Sequence, residues 1–218
     1  FGASYKVTEK LTASAKATYV RSKGKGRYGT GYDALNPMQS FKQWFQVNVD
    51  MQDQKNAYFQ TRKNITWNAT DPTNVDAGPI YFDNPYWTRY ENYQNDERNR
   101  VYGNATLNYE INDWLSVMAR ASVDTYSQVA HERINVGSVD VSRYSRSNES
   151  FTENNYDLMF TANKDLSDDL NINAVVGTNV RRTHYSSIAA TTNGGLNLPG
   201  LYSLQNSNFR FPETPPSK

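Results

Sequence analysis

Three stretches of this chain repeat one pattern: an apolar residue, a three-residue polar turn, then leucine. They are Val7-Thr8-Glu9-Lys10-Leu11, Ile111-Asn112-Asp113-Trp114-Leu115 and Leu166-Ser167-Asp168-Asp169-Leu170. Each is flanked by strict alternation of apolar and polar residues, the mark of a β-hairpin with a tight turn. Because side chains of a strand point alternately to opposite sides, this alternation separates an apolar face from a polar one.

The alternation predicts six strands. The first runs from Gly2 to Val7 and the second from Leu11 to about Val20, with Leu11, Ala13, Ala15, Ala17 and Tyr19 on one face and Thr12, Ser14, Lys16 and Thr18 on the other. The third begins near Val101, with Gly103, Ala105, Leu107, Tyr109 and Ile111 in phase and Tyr102, Asn104, Thr106, Asn108 and Glu110 opposite. The fourth sets Leu115, Val117, Ala119, Ala121 and Val123 against Ser116, Met118, Arg120, Ser122 and Asp124. The fifth sets Tyr156, Leu158, Phe160, Ala162 and Leu166 against Asp157, Met159, Thr161, Asn163 and Asp165. The sixth sets Leu170, Ile172, Ala174, Val176, Thr178 and Val180 against Asn171, Asn173, Val175, Gly177 and Asn179. Long connections are expected from about Arg21 to Asn99, from about Ser127 to Asn155, and after Arg181. Short and long connections thus alternate, which puts all short turns at one end of the sheet. Outer-membrane barrels have this asymmetry, and their strands cross the bilayer in about 9–11 residues. Tyr19, Tyr109, Tyr126 and Tyr156, among 16 tyrosines in all, stand near strand ends as an interfacial aromatic girdle would. The competing architecture is a soluble β-sandwich, whose core favours larger side chains than this Ala-rich face and whose loops seldom reach these lengths.

Bulk properties narrow the function. The chain has 218 residues and a net charge of +1, so the basic excess of a nucleic-acid-binding protein is missing. It has no cysteine, hence no disulfide framework, thiol nucleophile or Cys-ligated metal. Mean hydropathy is −0.81 and no apolar run reaches the length of a membrane helix. A barrel strand, half of whose residues face water, is compatible with such values. The start at Phe1 and the Pro-rich end at Pro212-Glu213-Thr214-Pro215-Pro216 read as the limits of a piece of something longer.

No catalytic constellation is present, and no enzyme activity or cofactor is expected. His131 and His184 fall separately in expected loops, and no His/Cys cluster has metal-ligand spacing. Asp71, Asn74 and Asp76 offer oxygens but miss the spacing of a calcium loop. The Asn-X-Ser/Thr triplets at Asn64, Asn68, Asn104 and Asn148 are chance matches in an Asn- and Thr-rich chain. The basic run from Arg21 to Arg27 reads as a solvated loop, with contact to anionic lipopolysaccharide as the alternative. Ser40 has the character of an N-cap for a helix from about Phe41 to Lys55, with Phe41, Trp44, Phe45 and Val49 on one side. Lumen-facing Lys16, Glu110, Arg120, Asp124 and Asp157 are candidates for lining a path or holding a plug, since half-buried charges tend to pair. Trp44, Trp67, Tyr81, Trp87 and Tyr90 in the first long connection are candidates for contact with a ligand or a covering partner.

Asn84-Pro85-Tyr86-Trp87-Thr88-Arg89-Tyr90-Glu91-Asn92, leading into Arg98-Asn99-Arg100-Val101-Tyr102-Gly103-Asn104 and Tyr109-Glu110-Ile111-Asn112-Asp113-Trp114-Leu115-Ser116, resembles the barrel of SusC-like TonB-dependent outer-membrane transporters. Gln43-Trp44-Phe45 with Asp50 resembles a loop-helix segment of that family, and the run from Asn193 to Tyr202 one of its later loops. The resemblance spans about Tyr5 to Asn206. It implies an all-β, up-and-down transmembrane barrel of about 22 strands, of which residues 1–218 are a partial barrel without the plug domain or the C-terminal strand. It further implies uptake of a bulky nutrient, glycan or peptide, across a Gram-negative outer membrane, driven by TonB through the plug, under a SusD-like surface lipoprotein. A passive porin-like barrel and a soluble all-β glycan-binding or adhesin module are the alternatives.

Overall fold

The computed structural model describes residues 1–33, 35–39, 46–74 and 76–209. Its strands are β1 (Gly2–Lys6), β2 (Leu11–Lys25), β3 (Gln94–Asn112), β4 (Leu115–Ile134), β5 (Arg143–Ser167) and β6 (Leu170–Thr191). They make one antiparallel six-stranded sheet in up-and-down order β1-β2-β3-β4-β5-β6, which does not close into a barrel. In the first hairpin Tyr5 pairs with Ala13 and Gly2 with Lys16. Short side chains make the turns. Thr8 Oγ1 accepts from the Leu11 amide at 3.0 Å, and Asn112 Oδ1 accepts from the Leu115 amide at 2.9 Å, satisfying donors that the reversing backbone leaves open. Gly103 is dictated by close approach of β2: a Cβ there would sit 2.1 Å from the Lys16 carbonyl oxygen.

All six strands fall where the alternation puts them, but five are longer. β3 starts at Gln94 rather than near Val101, β4 continues to Ile134, β5 begins at Arg143, and β6 continues to Thr191. The second connection, expected to be long, shrinks to residues 135–142. These extensions are mostly polar on both faces, with apolar residues such as Val129 and Ile188 too scattered to mark a hydrophobic period. Polar cross-strand pairs run along them instead, such as Arg98 Nε to Gln128 Oε1 at 2.6 Å and Gln94 Nε2 to Glu132 Oε2 at 2.9 Å.

The first connection contains α1 (Met51–Thr61) and α2 (Pro85–Tyr90), and a 3-10 turn spans Leu204–Asn206. Residues 40–45, where the sequence starts its helix, lie outside the described residues. Residues 46–49 form a turn, and the helix begins after Asp50, whose Oδ1 accepts from the Gln52 amide at 2.7 Å. That cap displaces the expected boundaries: α1 runs six residues past Lys55 and stops at Arg62, which takes the left-handed conformation. α2 is capped by Asn84 with Pro85 in its first turn, a helix-start signal.

The chain divides into two compact units. Unit 1 is residues 1–22, 98–128 and 149–187; unit 2 is residues 23–97, 129–148 and 188–218. Unit 1 is sheet with its three tight turns, and none of its residues is buried. Every buried side chain among the described residues belongs to unit 2, including Leu35, Tyr58, Trp87, Ile134, Tyr144 and Leu196. Unit 2 therefore has a core and unit 1 has two open faces.

Candidate functional site

The polar face of unit 1 carries a chain of cross-strand charge pairs. Arg100 on β3 holds Asp124 on β4, its Nε 2.8 Å from Oδ1. Arg120 on β4 holds Asp157 on β5, Nε to Oδ2 2.8 Å, and Asn179 on β6 donates to Asp157 Oδ1 at 2.6 Å. Arg181 on β6 returns to Glu153 on β5, Nε to Oε2 2.8 Å. Four adjacent strands are thus linked by alternating charge on one side. Three of the five expected lumen residues, Arg120, Asp124 and Asp157, join this network. Lys16 and Glu110 lie on the same face by phase, and their side chains make no polar contact with the described residues. Arg100, Glu153 and Arg181 are the residues the sequence reading misses. They stand in phase with Asp124 and Asp157, so extending the alternation past the apolar stretch finds them. Tyr126 also belongs here and not to an outer girdle: it lies under the Arg98 guanidinium, 4.6 Å from centroid to Cζ, and stacks on Phe151 at 5.3 Å.

The opposite face of unit 1 is apolar and open. Tyr5, Leu107, Tyr156, Phe160, Ile172 and Val176 are between 42 and 72 % exposed. Ala13, Ala15, Ala105, Ala119 and Ala121 floor a trough of about 580 Å³ walled by Tyr5, Leu107 and Tyr156.

Unit 2 is organised around buried amides. Asn84, fully buried, accepts from the Tyr86 amide at 2.8 Å and donates to the Gln54 and Ile65 carbonyls, each at 2.8 Å. Asn68 Oδ1 accepts from three successive amides, Ile80, Tyr81 and Phe82. These side chains stand in for the ladder partners that irregular backbone lacks. Asp83 is a buried carboxylate held by Asn64 Nδ2 at 2.7 Å, Asn92 Nδ2 at 3.1 Å and the Val139 amide at 2.8 Å. Burial pushes its pKa up, against the pull of these donors. Tyr58, between α1 and α2, donates to Glu91 Oε1 at 2.7 Å and stacks on Tyr90 at 5.7 Å; burial first, then that bond, push its hydroxyl up to about 12.

The expected loop aromatics fall into different surroundings. Trp44 lies outside the described residues. Trp67 is half-buried. Trp87 is buried and donates from Nε1 to Ser138 Oγ at 2.8 Å, so its body packs unit 2. Tyr90 is half-exposed on Tyr58 and Phe59, and Tyr81 is exposed beside a cavity of about 410 Å³. Of the four Asn-X-Ser/Thr sites, Asn64 and Asn68 are buried in the network just described. Asp71 spends its Oδ1 on the Thr73 amide and hydroxyl, which hold its pKa down, and Asp76 pairs with Lys63 at 2.7 Å. His131 Nδ1 lies 2.7 Å from the Tyr144 hydroxyl, while His184 is exposed on β6. No protein-family model matches this chain, and no curated protein matches it.

Proposed function

We propose that the sheet of unit 1 is part of the wall of a transmembrane barrel of about 22 strands, in a SusC-like TonB-dependent transporter that imports a bulky glycan or peptide across the outer membrane. One observation carries this reading: the unit 1 part of the six-stranded sheet has no buried residue, with one face apolar and uncovered and the other a network of ion pairs. In water an uncovered apolar face of this extent is an association hazard. In a bilayer it is the lipid face, and the charged side lines an aqueous lumen. The open edges at β1 and β6 support the reading too, since a sheet edge is tolerated in lipid only when further strands complete the ring. The three tight turns at 7–10, 113–114 and 168–169 then mark the periplasmic rim, and unit 2 holds the extracellular loops that meet cargo and a SusD-like lid.

On this reading the paired charges of the lumen face hold the wall together, and Lys16 and Glu110 face the plug that couples transport to TonB. Fractionation of cells making the full-length protein tests it. Recovery in the outer membrane is expected, and recovery in a soluble fraction overturns the proposal. Uptake that survives collapse of the proton gradient identifies a passive porin instead.

A further inference from the structure

The cavity of about 410 Å³ beside Tyr81 lies entirely within unit 2 and is bounded by residues from three separate stretches, 32–39, 81–88 and 139–143. Two exposed tyrosine rings, Tyr32 and Tyr81, stand at it. Three carboxylates line it, Asp33, Asp83 and Asp140, against one described cation, Arg143. That guanidinium is already committed: its Nε donates to Glu132 Oε1 at 2.9 Å, and Nη1 lies 4.0 Å from Asp140 Oδ2. The described lining therefore presents aromatic faces together with a surplus of negative charge. A carboxylate or phosphate would be repelled, and a neutral sugar would leave the surplus in place. A cation answers both parts of the lining, by Coulomb attraction to the carboxylates and by attraction to the faces of the rings.

We propose that this cavity receives an alkylammonium group of the cargo, such as a lysine side chain of an imported peptide. A volume of this size suits a small side chain rather than a folded partner. Asp83 is fixed at its edge by three donors, so its carboxyl group is held in one orientation before the cation arrives. The inference rests on unit 2 being the cargo-facing loops of a transporter, and selects peptide over glycan.

The test uses full-length protein in detergent, with N-acetyl-trilysine amide as probe and its fully Nε-acetylated form and maltotriose as controls. The charged peptide binds, more weakly as salt rises, and acetylation weakens it about tenfold, the worth of a hydrogen bond to a charged group. Asp140→Asn, at a side chain 45 % exposed, costs a similar factor. Tyr32→Ala, at a ring 76 % exposed, costs about twofold to fivefold. Hydrogen exchange over residues 51–92 verifies that both variants keep unit 2 folded. Equal binding of the charged and acetylated peptides, no binding of either, indifference to Asp140→Asn, or binding of maltotriose alone overturns the proposal. Fractionation is read separately. A protein in the outer membrane that ignores the charged peptide overturns the cavity assignment alone, and a soluble one that binds it overturns the transporter reading alone.

Discussion

Asn84→Ala should unlock unit 2 while leaving the sheet of unit 1 in place. The side chain is fully buried and makes three hydrogen bonds. Loss of its cap on the Tyr86 amide costs about 1 kcal/mol. The Ile65 carbonyl, left without this donor in a buried setting, costs about 1–3 kcal/mol. The Gln54 carbonyl sits inside α1, where helical bonding continues, so its loss is smaller, about 0.5–1.5 kcal/mol. Together the change removes about 3–5 kcal/mol, a large share of the ~5–15 kcal/mol that holds an ordinary domain. Hydrogen exchange of the full-length protein reads it directly. Amides of α1 and α2 should exchange a hundredfold faster or more, while those of 101–111 and 115–123 keep their protection. A change below about fivefold in α1 and α2, equivalent to about 1 kcal/mol, would refute the claim that buried amides organise this unit.

Three further outcomes follow from particular contacts. Asp83 has its pKa raised in the folded state, so its contribution to stability is full below the ordinary carboxylate range and is lost as pH rises through the raised value. The stability of unit 2 in the native protein, relative to Asp83→Asn, should therefore fall as pH rises above about 4; a flat difference contradicts the assignment. The Arg120–Asp157 pair is partly exposed, and a double-mutant cycle with Arg120→Ala and Asp157→Ala should return only the weak coupling of a water-facing ion pair, whereas strong coupling would mean a dry face. Gly103→Ala should cost about 1–3 kcal/mol by driving β3 from β2, and an unchanged unfolding midpoint would mean the strands do not approach so closely.

Legibility in the sequence follows the physics of each part. Where one face is apolar, period two is written in residues such as Ala119, Ala121 and Val123, and the strands can be placed to within a residue at their tight turns. From Arg143 to Asn155 or from Arg181 to Thr191 neither face is apolar, so β5 and β6 continue without a signal that hydropathy can carry. The helix at Met51 shows the converse: the expected start at Phe41 lies outside the described residues, while the short side chain of Asp50 sets the start of α1, which no hydrophobic spacing marks. In unit 2 the decisive residues are Asn64, Asn68, Asn84 and Asn92, whose roles depend on backbone groups up to 73 residues away in sequence. Nothing in local pattern separates a buried, fully bonded asparagine from one in a solvated loop. The candidate cavity depends on the same long-range folding, which brings Tyr32 and Asp33 beside Tyr81 and Asp140.

The central claim is that the apolar face of unit 1 meets lipid and the charged face meets water. Since the chain has no cysteine, single nitroxide labels can be placed at will. Labels at Val117, Ala119, Ala121 and Val123, and at Ser116, Met118 and Ser122, in the full-length protein in bilayers read both faces of β4 by paramagnetic relaxation. The first set should collide freely with dissolved oxygen and hardly at all with a water-soluble nickel chelate, and the second set the reverse, alternating residue by residue. Apolar-face labels shielded from both reagents, as in a protein core, or open to the nickel chelate, as on a wet surface, would contradict the account.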